Sequence, residues 1–299
     1  MSDYFIPLGG GNEIGASAYY LSIEGIHILL DCGARLKGDE LYPDYERLLY
    51  ELNDYSDLDL ILVSHAHYDH IGSIARIASL APNAEIITTE ASKRLIYTQL
   101  LEFGRISGRK EIDKIKNERY RKAQILMERI HTRPVAKPFL IHGCKITLLP
   151  AGHMPGGVMI HLETGHHDIL YTGDFSIASM FGVNGMHLPE QLHPKTLLIN
   201  IPNAYQKEDT WESLFSEGTP TDLPAPYSGM KDIIQEHRKL GDGIYLVSRS
   251  IPKHLDLFYF LNSVFPELPV YLEPKSRVVA DILSDMGYQV YTTNIHITE

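Results

Sequence analysis

Leu60-Ile61-Leu62-Val63-Ser64-His65-Ala66-His67-Tyr68-Asp69-His70 carries a short apolar run straight into three imidazoles and a carboxylate. The apolar half reads as a buried strand: it is too short for a helix and lacks the polar alternation of a half-exposed strand. The polar half follows on a loop, where side chains from so short a span can converge on one point. Imidazole together with carboxylate suits zinc, or a similar borderline divalent ion, better than calcium or magnesium. A single loop histidine is ordinarily structural, but His65, His67, Asp69 and His70 within six residues read as a metal site. A tetrahedral ion cannot take every donor from this span and keep a position open for substrate, so further ligands must come from elsewhere. His153, in Ala151-Gly152-His153-Met154-Pro155-Gly156-Gly157, and Asp174, in Tyr171-Thr172-Gly173-Asp174, are the candidates. Both follow apolar runs, and both sit beside glycines that permit close backbone approach.

Outward from this motif, strands are expected at residues 4–8, 17–23 and 26–30, the last two forming a hairpin around Glu24-Gly25, with a helix over 44–52. Beyond it, helices are expected over 72–80, 92–103 and 111–130, and strands at 85–88, 139–141, 145–149, 158–162 and 168–171. A further buried strand is expected at 197–201. A proline-rich connector over 219–226 then changes the texture. After it, helices at 230–240, 252–262 and 276–286 alternate with strands at 244–247, 270–272 and 289–291, which implies parallel βαβ units. The expected division is 1–203 and 204–299.

The bulk composition narrows the function less than the motif does. The formal charge of −11 on 299 residues gives no global attraction for a polyanion. Charge is segregated, however: from Arg105 to Lys137 there are eleven Lys and Arg against four Asp and Glu. A solvated, salt-bridged helix explains such a stretch, and a phosphate-facing surface is the alternative. Cys32 and Cys144 show no CxxC spacing and suit a reducing compartment. No apolar run approaches the ~20 residues that cross a bilayer. The start lacks a basic segment followed by an apolar one, so no signal peptide is expected. The expectation is a cytoplasmic protein with no membrane partner.

Leu29-Leu30-Asp31-Cys32-Gly33, His65-Ala66-His67-Tyr68-Asp69-His70, Ala151-Gly152-His153 and Tyr171-Thr172-Gly173-Asp174 match, in order, the first four motifs of the metallo-β-lactamase superfamily, which the chain resembles from residue 4 to about 200. Leu8-Gly9-Gly10-Gly11-Asn12-Glu13-Ile14-Gly15, ahead of Leu29-Leu30-Asp31-Cys32-Gly33, resembles more particularly the β-CASP branch. That branch contains RNA-processing nucleases related to ribonuclease J and to the mRNA cleavage and polyadenylation endonuclease. The resemblance implies an α/β protein: a metallo-β-lactamase αββα sandwich followed by a partial Rossmann-like β-CASP α/β unit. It implies two zinc ions, one on His65, His67 and His153, the other on Asp69 and His70, with Asp174 bridging. Asp31 would orient the ligand loop by hydrogen bonds, and Asp69 would also orient the nucleophile, a hydroxide activated by both metals for in-line attack on phosphorus. RNA is the implied partner, with DNA as the alternative and a homodimer as an option.

Two departures qualify the resemblance. Where the β-CASP family has an acidic residue after the strand at 197–201, this chain has Asn200. The family's later histidines are also missing: His296 supplies a histidine but not their context, which leaves the second metal site one protein ligand short in either a naturally short member or a piece of a longer one. The segment from Gly241 to Leu257 resembles the family's strand-to-helix passage, with Arg249 either a phosphate contact or an ordinary loop arginine. Three readings therefore compete: a β-CASP-like ribonuclease, a small-molecule metallo-hydrolase of esters, lactones or phosphodiesters, and an inactive scaffold in an RNA-processing complex.

Overall fold

The computed structural model describes residues 3–36, 40–106, 113–179, 182–201, 225–241, 243–247, 251–291 and 295–297. The chain divides into two compact units, Met1–Pro202 and Asn203–Glu299.

In the first unit, β1 (Tyr4–Gly9) pairs antiparallel with β2 (Ala18–Ile23), which turns back into β3 (Ile26–Leu30). Glu24 and Gly25 in that turn both have positive φ, 49° and 78°, the hand that follows the right-handed twist of the flanking strands. β4 (Leu60–Leu62), β5 (Glu85–Thr88) and β6 (Ile130–Thr132) then add in parallel, giving a six-stranded sheet in sequence order. A second sheet has the order β11-β10-β9-β8-β7. Its strands are β7 (Phe139–Ile141), β8 (Cys144–Pro150), β9 (Val158–Glu163) and β10 (Asp168–Tyr171), all antiparallel, with β11 (Thr196–Leu198) parallel at the edge.

Alternation along the strands sorts the side chains. Ile28, Leu30, Leu60, Leu62 and Ile87 of the first sheet meet Ile146, Leu148, Ile160, Leu162 and Ile169 of the second in one core. Leu29, Ile61 and Ile86 point the other way and are just as buried. With one face taken by the second sheet, the crossovers between parallel strands must cover the other. α1 (Tyr45–Leu52) buries Leu48 and Leu52 in doing so, and α3 (Ile74–Leu80) buries Ile74 and Ile77. Asp44 caps α1 by accepting the Arg47 N–H at 2.8 Å. α4 (Glu90–Ile106) and α5 (Asp113–Arg129) bridge β5 to β6. On the outer face of the second sheet, Leu149, Met159 and Leu170 pack against Phe175, Met186 and Leu192 from the chain that follows β10. The architecture is an α/β sandwich of two sheets with helices.

Several expectations need correction. A short helix, α2 (Tyr68–Ile71), starts directly after His67, so Asp69 and His70 project from a helical turn rather than from a loop. β6 occupies residues assigned in part to the end of a helix, because Ile130 finds a free edge beside Ile86. The segment at 197–201 is not buried: Leu197 is 53% exposed, since among the described residues β11 has a neighbour on one side only.

In the second unit, α6 (Ala225–Leu240), α7 (Ile251–Val264) and α8 (Pro274–Asp285) accompany β12 (Val270–Leu272) and β13 (Ile295–Ile297), which pair in parallel as a βαβ unit requires. Residues 244–247 and 289–291 form no strand; Tyr245 is 90% exposed, and β12 takes β13 as its partner instead. Arg249, residues 107–112 of the basic stretch and residues 219–224 of the connector fall outside the described residues. Among the described residues no helix is long and apolar enough to cross a membrane.

Candidate metal centre

The candidate residues converge where β3, β4, β8 and β10 end. Asp31 terminates β3 in a left-handed backbone conformation, φ 58°, with its N–H bonded to Leu62 O at 2.9 Å. That turn sends its fully buried carboxylate under the histidine loop. Oδ1 accepts the Ser64 N–H at 2.7 Å, and Oδ2 accepts Ser64 Oγ at 2.8 Å, Tyr171 Oη at 2.6 Å and His70 Nδ1 at 2.7 Å. A buried charge without such donors would be costly.

This network orients two rings. A carboxylate only accepts, so the His70 Nδ1 proton faces Asp31 and Nε2 is turned toward the centre. Ser64 spends its one hydroxyl proton on Asp31, so it accepts from His65 Nδ1 at 2.9 Å and leaves His65 Nε2 bare.

Glycines allow the required approach. At Gly33 an added Cβ would lie 1.6 Å from Asp69 O and 2.7 Å from Ser17 N, which pins the loop because Ser17 N itself donates to Asp69 O at 2.9 Å. Gly173 places Asp174 with φ 51°, against the Ser64 side chain. The loop of His153 is tied to the first sheet's helices, where Gly156 O accepts from Thr89 and Ser92 hydroxyls at 2.8 and 2.9 Å.

His67 Nδ1 lies 3.2 Å from His65 Nε2 and 3.0 Å from His153 Nε2, while Asp174 Oδ2 lies 3.5 Å from His153 Nε2 and 3.9 Å from His65 Nε2. These four residues form a group able to hold a metal ion. A tetrahedral zinc with bonds of about 2.0–2.1 Å has ligand-to-ligand edges of about 3.3–3.4 Å, and the observed separations bracket that value. Among the described residues His67 Nε2 is buried without a hydrogen-bond partner, and none of them competes for the ring on that side. The other oxygen, Asp174 Oδ1, lies 3.4 Å from His70 Nε2, and Asp69 Oδ2 lies 3.9 Å from the same nitrogen. Asp174 thus turns one oxygen to each histidine set.

The electrostatics favour lone pairs over protons at the triad. Burial, reinforced by neighbouring imidazoles, pushes His65 well below the ordinary histidine range and His67 down to about 3. Burial also lowers His153, against the opposing pull of Asp174. His70 differs: burial disfavours its charge, but Asp31 and Asp174 outweigh burial and hold its pKa well above the usual value. Asp174 is lowered, because hydrogen bonding and charge from His70, then His153 and His67, overcome the effect of burial.

Each motif residue read from the sequence lies in this cluster: His65, His67, His153 and Asp174 in the tight group, His70 on the far oxygen of Asp174, Asp69 beside His70, and Asp31 beneath. His296 lies on β13 of the second unit, its side chain outside those described. Ser64 and Tyr171 were missed as participants. Their only signal is position, each at the end of a strand whose motif follows. Asn200, the residue that departs from the family's acid, donates from Nδ2 to Asp174 Oδ1 at 2.7 Å.

Residues 11–200 match the metallo-beta-lactamase superfamily. Among curated relatives, the chain is 30% identical to endoribonuclease YSH1 of Yarrowia lipolytica over 179 residues, 58% of this chain and 20% of that protein. It is 26% identical to cleavage and polyadenylation specificity factor 73 of Drosophila melanogaster over 273 residues, 89% of this chain and 37% of that one. The matched stretch therefore spans between a fifth and two fifths of these relatives. A crystal structure of a protein of unknown function from Enterococcus faecalis shares the fold over 100% of this chain and 70% of its own, with a TM-score of 0.57 at 16% identity. The chain belongs to the metallo-β-lactamase superfamily, in its β-CASP branch.

Proposed function

We propose that this chain is a zinc-dependent hydrolase acting as a nuclease on RNA phosphodiester bonds. The observation that carries the reading is the placement of Asp174, with Oδ2 toward His153 and His65 and Oδ1 toward His70. His65, His67 and His153 would hold one ion, Asp69 and His70 a second, and Asp174 an edge of both. Zinc in such a site supplies a water acidified to a pKa of about 7 and a Lewis acid for a phosphoryl oxygen. The residues of the chain do the rest. Asp31 and Ser64 hold the His70 and His65 rings with their Nε2 atoms inward. Asp69, with a third of its side chain exposed, is open to solvent and would orient the attacking water and receive its proton.

RNA as substrate rests on the relatives, which are named as an endoribonuclease and as cleavage and polyadenylation factors. The family match over residues 11–200 supports reading the unit Met1–Pro202 as the metallo-β-lactamase domain, and the unit Asn203–Glu299 is read as β-CASP-like from its resemblance in sequence. The test is cleavage of end-labelled single-stranded RNA by zinc-loaded protein, with chelator and His67→Ala as controls. Chelator-sensitive cleavage absent from His67→Ala is expected; RNA left intact by a zinc-replete chain sinks the nuclease. Asn200, a neutral amide on Asp174, favours a second reading as an RNA-binding subunit that does not cleave. Retention of RNA in a gel-shift assay without cleavage selects that reading.

A further inference from the structure

Asp174 Oδ1 faces His70 Nε2 at 3.4 Å and accepts the Asn200 amide at 2.7 Å. Asn200 is not loosely placed. Its backbone N–H donates to Thr172 Oγ1 at 3.0 Å, and Thr172 N–H donates to Leu198 O at 3.0 Å. The parallel strands β10 and β11 therefore hold donor and acceptor in one frame. Its amide reaches the oxygen on the His70 side, while Oδ2 is turned to the His65 and His153 nitrogens.

We infer that Asn200 is a positioning residue that makes the two ion positions unequal; the inference rests on the reading of this cluster as a two-ion centre. A neutral donor satisfies Oδ1 in the absence of an ion, so the His70 side is already stable when empty. An ion arriving there must share Oδ1 with the amide proton and gains no charge from position 200. On the triad side the other oxygen, Oδ2, is turned to the His65 and His153 nitrogens, and Asn200 donates to Oδ1 instead. The position bounded by His65, His67 and His153 fills first, and the one bounded by His70 and Asp69 fills weakly.

Asn200→Asp tests this, because it keeps the shape and replaces the donor by a charge. Metal-free full chain is titrated with zinc by calorimetry, with elemental analysis after dialysis giving the stoichiometry. For the wild type, the second step is expected at least about tenfold weaker than the first; in Asn200→Asp the second step tightens at least about tenfold relative to the first, since the added charge lies on the Oδ1 side of Asp174 and one charge beside an ion is worth more than that at an effective dielectric of about 20. Circular dichroism checks the fold. If Asn200→Asp does not fold metal-free, Asn200→Ala removes the donor alone and is expected to narrow the gap in the same direction. Two equal steps in the wild type, or a second step unmoved in both variants, overturn the inference and leave the metal centre standing. No zinc bound by the wild type, as with a His67→Ala control, overturns the metal centre itself and the inference with it.

Discussion

The hydroxyl of Tyr171, at the end of β10 in one sheet, donates at 2.6 Å to Oδ2 of Asp31, at the end of β3 in the other. The bond ties the two sheets together at the edge where the histidines emerge. Both residues are buried, and burial followed by the charge of Asp31 pushes the Tyr171 phenol well above its ordinary range. Tyr171 therefore remains a donor throughout the working pH range, and the frame under the ligand loop is set before any ion arrives.

Tyr171→Phe keeps the ring and removes only that donor. Oδ2 of Asp31 keeps Ser64 Oγ and His70 Nδ1 but loses its third bond inside the core. A loss of about 1–3 kcal/mol in unfolding free energy is expected from denaturant titration of the metal-free protein. A change under half a kilocalorie would mean that the bond contributes nothing beyond what water supplies on opening.

Asp31→Asn is expected to be harsher. Four donors point at this carboxylate, and an amide in its place turns a donor toward some of them. Stability should fall by about 3–5 kcal/mol, the range for breaking a buried charge pair. Zinc affinity should drop about 10–100-fold, because the His70 and His65 rings lose what orients them. Calorimetric zinc titration alongside thermal unfolding separates the two effects. Unchanged zinc affinity would show that the rings hold their orientation without Asp31.

The ligand set was legible because metal chemistry concentrates donors: His65, His67, Asp69 and His70 fall within six residues, and no packing role calls for that. The supporting shell was not legible, because it is built across distance. Tyr171 and Ser64 meet at Asp31 from separations of 140 and 33 residues, and neither hydroxyl announces its partner. Strand endings failed in the same way. Ile244-Tyr245-Leu246-Val247 has the composition of a strand, but a strand needs a neighbouring ladder, and β12 pairs with β13 instead. A local pattern reports which residues suit a strand and not which edge is open.

A cross-sheet clip at the opposite end should be sensitive to acid. Glu24, in the β2–β3 turn, accepts from Thr164 Oγ1 and from His166 N–H, and Asp3 accepts from Glu24 N–H and pairs with His167 at 2.8 Å. Hydrogen bonding lowers both carboxylates, from Thr164 and then His166 for Glu24, and from the Glu24 amide and then His167 for Asp3. A carboxylate lowered in the folded state stabilises fully above its unfolded pKa, and that contribution is lost as pH falls through the folded value. The clip should therefore hold above about pH 5 and open below the ordinary carboxylate range. Amide exchange at His166, followed against pH, should accelerate below that range. Exchange indifferent to acid would show that the loop 164–167 is held by other contacts.

Gly33 and Gly25 make a matched test of what the site demands of the backbone. At Gly25 an added Cβ meets nothing within 4 Å, and its φ of 78° is the only obstacle. At Gly33 the conformation is no obstacle, but the Cβ would sit 1.6 Å from Asp69 O and 2.7 Å from Ser17 N, both backbone atoms that cannot rotate away. Gly25→Ala should cost about 1–2 kcal/mol, the strain of a left-handed alanine, and leave zinc binding unchanged. Gly33→Ala should cost about 3 kcal/mol or more, at the upper end for overpacking, because relief requires moving the turn that carries Asp69 and His70. The same displacement should weaken zinc binding on the His70 side, whereas Gly25→Ala bends only a hairpin. Equal zinc affinity in the two variants would show that the Asp69 turn tolerates movement, and that its close seat on Gly33 serves packing alone.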